Sequence, residues 1–578
     1  MVASKERTKV KGKPHAHKNG AASCPIIKLL PKNLQEEVGG SEHLMDYIHD
    51  LPIETIGIPQ YHRELDRKLG DMKDPNIIYP VGGGLYIHVL PDPEDARNLY
   101  CAIEPGMAID SKGLMEMLED HLVDYVDELD DLDGRKSIDR TKTLLSVLKK
   151  ICVIVSPGQL KKAREKAEKK NDGTLPVTRP QYNTLRYQLI RDKEGMGVLQ
   201  PLILDPYLED ISCSGVGPIF LEHKIFKGLK SNIQFDDIVS LDAFVIQLSE
   251  RIGKPVTYRK PIVDATLPDG SRVNLVFGQD ISRRGSNFTI RKFTETPLSI
   301  VELVEFGGLT YEMAAYLSLA MQHGLNIFVA GETASGKTTL MNAMTTFLPA
   351  SDKIVSIEDT PELQVPHPNW IRGVVRDTSG SAESGPSVDM FDLLRAALRQ
   401  RPNEIIIGEI RGAEGAIAFQ AMQTGQSCMA TFHADSVEKL IQRLTGNPIN
   451  IPKTYIDNLN LVVFQNMVRL PDGKPGRRLT SLNEIVGYDP STDSFSYVEV
   501  FRWDPAKDEF EFTGYMNSYM LEEVIAKKRG LPPSRKREIY DELKRRTTLL
   551  NRLKSQGITG FYEIYKVLAQ ANKEGIFK

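Results

Sequence analysis

The second half of the chain predicts an α/β fold built on a parallel sheet. Beyond Thr310, short apolar runs alternate with amphipathic stretches of about ten residues, which is typical of strands and helices in a three-layer domain. A glycine-rich turn separates the first apolar run from the helix after it. Upstream of Pro297 the pattern is irregular and predicts α+β domains.

Composition excludes several classes of protein. The 578 residues suggest about three to four domains. With 41% hydrophobic and 26% charged residues and a net charge of −4, the chain is neither disordered nor collagen-like, and it has no overall basic field for nucleic acid. The 5 cysteines form no C-x-x-C pair, so we expect no zinc site, no disulfide framework and a reducing cytoplasm. No apolar run approaches the ~20 residues needed to cross a bilayer, and the basic N-terminal residues lack the apolar stretch of a signal peptide, so we expect a cytosolic protein.

The first half of the chain is expected to contain three segments. Residues 1–30 form a basic tail without hydrophobic periodicity, expected to be flexible, with contact to an anionic membrane or a partner as the alternative. Residues 31–175 form an N-terminal α/β region. Residues 176–296 form a second α+β domain, because the segment TLPVTRP is typical of a boundary.

An acidic helix is expected within the N-terminal region. Acidic residues fill most of its remaining positions, and its apolar residues recur at helical spacing: Leu114, Leu118, Leu122, Val126 and Leu129. The acidic face is expected to be solvated, with a docking surface for a basic partner as the alternative.

The core is expected over residues 297–452. Its buried strands are predicted at 325–330, 353–359, 404–409 and 428–434, and its helices at 388–400, 415–423 and 436–445. The polar insert at 377–387 is expected to be a mobile loop. Residues 453–578 are expected to form a C-terminal β and helical extension.

The strongest motif is a phosphate-binding loop. Residues 331–338 read GETASGKT and fit G-x-x-x-x-G-K-[ST]. The backbone N–H groups of such a loop surround a β-phosphate, Lys337 would reach the β- and γ-phosphates, and Thr338 would hold Mg²⁺. ATP binding is therefore assigned to this loop and the residue after it: Gly331, Glu332, Thr333, Ala334, Ser335, Gly336, Lys337, Thr338 and Thr339.

Two predicted strands end in carboxylates, and a third ends beside a histidine. Strand ends of a parallel sheet converge on the nucleotide. Glu358, supported by Asp359, is the general-base candidate, and Glu409 is expected to position or polarise water. His433 is expected to sense the γ-phosphate. The alternatives are helix capping for the acids and a structural role for the histidine.

Hydrolysis also needs a cation for the charge that develops on the γ-phosphoryl group. An arginine finger accounts for about 10³–10⁵ in rate. Spacing does not choose among the candidates, which are Arg395, Arg399, Arg401 and Arg411 in the core and Arg272, Arg283, Arg284 and Arg291 before it. If Arg272 or Arg291 acts in trans, the enzyme must be a ring or another oligomer.

Four ordered segments resemble the type II/IV secretion ATPase superfamily: GETASGKTT (331–339), SIEDTPEL (356–363), IIIGEIRGAE (405–414) and ATFHADS (430–436). The resemblance runs from about Asp205 to the C-terminus. The segments DPYLEDISCSGVGPIFLEH (205–223), RPNEIIIGE and QRLTGNPINIP are similar to the archaeal branch, and DMFDLLRAALRQRP and FTGYMNSYMLEE are most like archaellum motor ATPases.

The resemblance implies a RecA-type P-loop core and preceding α+β N-terminal domains joined by a hinge near 293–297. It implies an ATP- and Mg²⁺-dependent homo-hexamer at the inner face of the cell membrane, where it docks on a polytopic platform protein and meets accessory cytosolic motor proteins. Glu358 corresponds to the aspartate-box base, Glu409 to the Walker B glutamate and His433 to the histidine box. DGSRVNL (269–275) makes Arg272 the leading trans arginine. The bacterial relatives' tetracysteine zinc module is absent from the sequence.

Three functions remain as alternatives. The leading one is a motor ATPase that drives filament assembly, rotation or secretion. A nucleic-acid-translocating motor needs a basic channel, which a net charge of −4 does not support, and no nucleic acid partner is expected. An assembly scaffold with little turnover would not require both carboxylate sites.

Overall fold

The chain divides into two compact units between Phe293 and Thr294. The structure, a computed structural model, describes residues 25–107, 111–130, 137–170, 173–293, 296–376 and 387–576. Residues 1–24 of the predicted tail, residues 377–386 of the predicted mobile loop and residues 294–295 of the predicted hinge lie outside this description.

The described part of the first unit is built on a ten-stranded sheet with the order β1-β2-β3-β4-β9-β8-β7-β12-β11-β10. A separate two-stranded sheet pairs β5 with β6. The strands are β1 Gln60–Tyr61, β2 Ile77–Gly82, β3 Leu85–Leu90, β4 Asn98–Ile103, β5 Cys152–Ile154, β6 Leu175–Val177, β7 Leu208–Cys213, β8 Gly217–His223, β9 Lys227–Phe235, β10 Ile262–Thr266, β11 Arg272–Val276 and β12 Asn287–Arg291.

Helices pack around these sheets. They are α1 Lys32–Gly40, α2 Glu42–Asp50, α3 Ile53–Ile56, α4 Ser111–Leu122, α5 Val126–Asp130, α6 Ser137–Ile151, α7 Leu160–Lys170, α8 Arg179–Lys193, α9 Gln200–Leu204 and α10 Ile238–Arg251. The predicted acidic helix is interrupted by a 3-10 turn at Val123–Tyr125. Because the turn rotates the helix face, Val126 is 43% exposed instead of buried.

The predicted boundary near residue 175 is not a break in the first unit. β4 pairs in parallel with β9, with Asn98 opposite Leu229, so one sheet runs through both predicted N-terminal regions. The segment that contains the boundary signal forms β6 and the start of α8. Thr178 caps that helix: its side chain accepts a hydrogen bond from the Gln181 backbone N–H, and the Gln181 side chain accepts one from the Thr178 backbone N–H. The proline after Arg179 therefore marks a helix start.

The described part of the second unit contains a nine-stranded sheet with the order β15-β14-β16-β17-β13-β18-β19-β20-β21. Strands β15 to β18 in this order pair in parallel, and β18 to β21 pair antiparallel. The strands are β13 Ile327–Ala330, β14 Ile354–Glu358, β15 Trp370–Val374, β16 Glu404–Ile407, β17 Ser427–Phe432, β18 Leu461–Arg469, β19 Pro475–Asp489, β20 Ser494–Asp504 and β21 Glu509–Glu511.

Helices cover both faces of this sheet, which confirms the predicted α/β core. They are α11 Ile300–Glu305, α12 Tyr311–Gln322, α13 Lys337–Met344, α14 Met390–Gln400, α15 Glu414–Gln423, α16 Val437–Thr445, α17 Ala526–Lys528, α18 Ile539–Ser555 and α19 Phe561–Lys573. The side chains of β13 alternate between the two faces. Ile327 and Val329 pack with α12 and α13, whereas Phe328 packs against Phe419 of α15.

The strand order fixes where chemistry can occur. β17 lies between β13, which enters the phosphate loop, and β16, which leads to Glu409. The carboxyl ends of these parallel strands therefore lie at one edge of the sheet. Within the described part of the chain, no helix is both long enough and apolar enough to span a bilayer.

Candidate functional site

The phosphate loop lies between β13 and α13, and its glycines have backbone conformations that favour glycine. Gly336 has φ 95° and caps α13. Gly331 has φ 151°, and a Cβ there would lie 2.0 Å from the carbonyl oxygen of Gln465. The loop is thus closed against β18, and the N-terminus of α13 points into it.

The side chains of the loop fit a phosphate ligand. Lys337 donates hydrogen bonds from Nζ to the carbonyl oxygens of Gly331 (3.1 Å) and Glu332 (2.7 Å), so its ammonium group already lies inside the loop. Ser335 Oγ is buried and has no hydrogen-bond partner among the described residues. A phosphate oxygen would satisfy this hydroxyl. Thr338, half-buried in the first turn of α13, lies where a Mg²⁺ ligand is needed.

The described residues contain no cluster of three or more His, Cys, Asp or Glu side chains that could hold a metal ion. Mg²⁺ bound with a nucleotide takes most of its ligands from phosphates and water, with one or two from the protein. The hydroxyl of Thr338 therefore fits as the protein ligand of a Mg²⁺ ion bound with a nucleotide.

Glu409 and His433 lie side by side at the carboxyl edge of the sheet. His433 Nε2 is 3.0 Å from Glu409 Oε1, and Arg411 Nη2 is 2.7 Å from Glu409 Oε2. The carbonyl of Gly408 accepts a hydrogen bond from Thr431 Oγ1 at 2.5 Å, which ties the segment after β16 to β17. The two side chains predicted to face the γ-phosphate thus come together.

The charges around this pair reinforce each other. Burial raises the pKa of Glu409, but the hydrogen bond and charge of Arg411, with the neighbouring cations, lower it by more, so the carboxylate is ionised at neutral pH. Burial and the charge of Lys337 lower the pKa of His433, so its imidazole is neutral there. Burial also lowers the pKa of Lys337, which Glu409 partly offsets.

Glu358 has a different environment from Glu409. It is 1% exposed, and its Oε1 accepts hydrogen bonds from Ser356 Oγ and Arg372 Nε, both at 3.1 Å. Its Oε2 accepts from the backbone N–H groups of Glu362 (2.6 Å) and Leu363 (2.7 Å). Oε1 therefore bonds β14 and β15, and Oε2 holds the loop after β14. The neighbouring Asp359 is the exposed carboxylate of the two.

That loop is docked on the helix that follows the phosphate loop. Asn342 of α13 donates from Nδ2 to the carbonyl of Glu362 (3.1 Å) and accepts at Oδ1 from the N–H of Gln364 (2.8 Å). Because the same loop is fixed by Glu358, the carboxylate and α13 are joined by a short chain of hydrogen bonds. Glu358 remains a predicted base, and its contacts add a structural role that the sequence did not indicate.

The predicted trans arginines lie in the first unit. Arg272 on β11 is directly opposite Arg291 on β12. Their side chains are 47% and 65% exposed, and each has a carboxylate neighbour, Asp264 at 3.9 Å and Asp210 at 3.1 Å respectively. Like charges directly opposite each other in a sheet repel, and the two carboxylates offset this repulsion.

Sequence reasoning missed two residues that touch the phosphate loop. The carbonyl of Gln465 closes against Gly331 at the β-bulge between Phe464 and Gln465. Arg477 on β19 donates from Nε to the carbonyl of Ala334 at 3.1 Å. Both come from the C-terminal extension, and no local motif marks them, because their position depends on which strands neighbour β13.

A family model described as "Type II/IV secretion system protein" matches residues 192–499. An uncharacterized protein of Methanocaldococcus jannaschii is 41% identical over 553 residues, which cover 95% of this chain and 98% of that protein. The chain belongs to the type II/IV secretion system protein family.

More distant members of this family are also similar to parts of the chain. The type IV secretion system protein VirB11 of Brucella suis is 26% identical over 326 residues, covering 51% of this chain and 89% of VirB11. The solved structure of the Legionella pneumophila ATPase DotB is 17% identical, covers 65% of this chain and 94% of DotB, and has a TM-score of 0.37. The family assignment depends on the family model and the Methanocaldococcus relative.

The phosphate loop, the Glu409–His433 pair and the family agree on the reaction. The chain is an ATPase of the type II/IV secretion superfamily. The individual roles of its site residues stay predictions.

Proposed function

We propose that this ATPase is a homo-hexameric motor that powers assembly of an archaellum or type IV pilus-like filament, or secretion, through a polytopic membrane platform protein. The observation that carries the enzymatic part is the convergence of Lys337, Glu409 and His433 at one edge of the sheet. The motor part is supported by the family and by the exposed Arg272–Arg291 pair, which has no catalytic use unless it meets a nucleotide. We expect the ATPase to lie at the inner face of the membrane and to bind accessory cytosolic motor proteins.

The residues of the second unit are assigned complementary roles. Lys337 and the loop N–H groups bind the phosphates of ATP, and Thr338 would hold Mg²⁺, which would supply positive charge for the phosphates. Glu409, ionised and oriented by Arg411 and His433, accepts a hydrogen bond from the attacking water. His433, neutral and half-buried, donates from Nε2 to Glu409 and changes partner when a γ-phosphate is present.

Arg272 and Arg291 are assigned to the nucleotide of a neighbouring subunit. A ring with shared sites predicts that specific ATPase activity rises with protein concentration. It also predicts that Arg272→Ala subunits poison wild-type subunits, so that an equal mixture loses more than half of the wild-type rate. Arg259→Ala, which changes another exposed arginine of the first unit, is the matched control, and an equal mixture with it should keep the wild-type rate.

The outcome decides between two assemblies. A rate that is independent of concentration and a proportional loss on mixing would show that each subunit is self-contained, and the hexameric motor would be abandoned.

The biological system is tested by chromosomal Lys337→Ala in the source organism. Loss of swimming motility supports an archaellum, loss of surface attachment a pilus, and loss of exported protein a secretion system. Retention of all three refutes the motor proposal.

A further inference from the structure

Arg477 occupies a position that the sequence motifs do not assign. It lies on β19, and its Nε donates a hydrogen bond to the carbonyl of Ala334 in the middle of the phosphate loop, at 3.1 Å. Its Cδ is 3.3 Å from where a Cβ on Gly336 would lie. The guanidinium group is thus held against the loop by its Nε, and both Nη groups are left to donate elsewhere.

The contrast with the next residue shows that Arg477 is not used to hold the hairpin together. Arg478 is 5% exposed and makes a two-point ion pair with Asp508, with both distances at 2.7 Å. Arg477 is exposed, and no ion pair joins it to a carboxylate within the described residues. A cation at a phosphate loop without a carboxylate partner is poised for an anion.

The strand order indicates which part of a nucleotide Arg477 faces. β16 and β17, which lead to Glu409 and His433, lie on one side of β13, and the hairpin of β18 and β19 lies on the other. A nucleotide whose γ-phosphate contacts Glu409 therefore has its α- and β-phosphates and its nucleoside toward the hairpin.

We propose that Arg477 is a nucleotide-binding residue that contacts the phosphates shared by ATP and ADP. The proposal rests on the ATPase function above and adds a residue from the C-terminal extension to its binding site. The planar guanidinium donates to phosphate oxygens through its Nη groups while Nε keeps its bond to Ala334. A lost charge-assisted contact of this kind corresponds to a change of about 10- to 100-fold in affinity.

The test measures binding of fluorescent ADP and of a non-hydrolysable ATP analogue, both with Mg²⁺, to the full chain. Arg477→Ala is expected to weaken both ligands by the same factor, and to raise KM for ATP by a larger factor than kcat falls. Arg469→Ala is the matched control, because Arg469 is an exposed arginine of the same hairpin that donates to the carbonyl of Gly473. Its binding should equal that of the wild type.

Two further variants separate charge from loop support. Arg477→Lys keeps the charge and should retain part of the affinity, whereas Arg477→Gln can keep an N–H donor near Ala334 but should bind as weakly as Arg477→Ala. Wild-type ADP affinity in Arg477→Gln, or loss of the ATP analogue alone, would overturn the proposal. Circular dichroism checks that each variant is folded. If the wild type itself bound no nucleotide, the ATPase function would fail, which is a distinct result.

Discussion

Replacing Glu358 with glutamine should destabilise the second unit as well as impair turnover. The carboxylate accepts four hydrogen bonds, two on each oxygen. A glutamine has one accepting oxygen, so its NH₂ group faces either both backbone N–H donors or Arg372 Nε together with the Ser356 hydroxyl, which can turn to accept. The less costly orientation opposes one donor, and because hydrogen bonds to a charged group contribute about 1.5–3 kcal/mol each, the expected destabilisation is about 1.5–3 kcal/mol.

The same substitution at Glu409 should act differently. Glu409 is 21% exposed, and its partner Arg411 is 68% exposed, so their ion pair contributes about 0–1 kcal/mol. Glu409→Gln is therefore expected to unfold at nearly the wild-type temperature and to bind ATP. If Glu409 orients the attacking water, turnover should fall by about 10²–10⁴-fold.

Thermal unfolding followed by circular dichroism, together with ATP binding and phosphate release, separates the two cases. For a domain of this size, a loss of about 1.5–3 kcal/mol corresponds to a Tm lower by about 3–12 °C. Glu362→Gln is the matched control, since Glu362 is exposed in the same loop and contributes only its backbone N–H to Glu358. A wild-type Tm for Glu358→Gln would refute the structural reasoning, and a stable but inactive variant would assign Glu358 to catalysis alone.

Three further substitutions test other parts of the fold. Burial raises the pKa of Glu404 to about 8, so the stability that the protonated carboxyl contributes is lost as pH rises through that value. Glu404→Gln keeps a hydrogen bond to Ser427 and should therefore raise the Tm more at pH 8 than at pH 6. Burial lowers the pKa of His88 to about 3, so its contribution to stability is complete above about pH 6.5 and falls as the pH decreases toward 3. Between pH 7 and pH 4, His88→Asn should therefore lose less Tm than the wild type. Gly331→Ala places a Cβ against the carbonyl of Gln465 and should abolish ADP binding in a fluorescence titration, while a phosphate loop that still bound ADP would show that β18 can move away.

The core could be predicted because its signals are local. The four predicted strands of the parallel sheet, β13, β14, β16 and β17, are short apolar runs, and the phosphate loop is a contiguous motif. β15 was not predicted, because it contains Arg372 and has no buried residue. Once the strands were known to be parallel, the meeting of Glu409 and His433 at one edge followed from chain direction alone. The structure places these two side chains 3.0 Å apart, in agreement with that expectation.

The features that were not predicted depend mainly on contacts between segments that are distant in the sequence. β4 and β9 are paired although Asn98 and Leu229 are far apart in sequence, and no pattern near residue 175 reveals a sheet that crosses it. The Thr178–Gln181 capping box was a local signal of a helix start, but the prolines around it were interpreted as a boundary. Arg477 could not be found because its approach to the loop depends on β18 lying beside β13.

The hairpin of β18 and β19 also connects the phosphate loop to the first helices of the second unit. Arg478, next to the residue that contacts Ala334, donates from Nη1 to the carbonyl of Phe306 at 3.2 Å, and the N–H of Leu479 donates to the carbonyl of Gly308 at 2.8 Å. Both acceptors lie in the turn between α11 and α12. A shift of Arg477 upon phosphate binding would therefore move a strand that is bonded to this turn at two points. The strands that lead to Glu409 and His433 thus lie on one side of β13, and a hairpin bonded to the turn between α11 and α12 lies on the other.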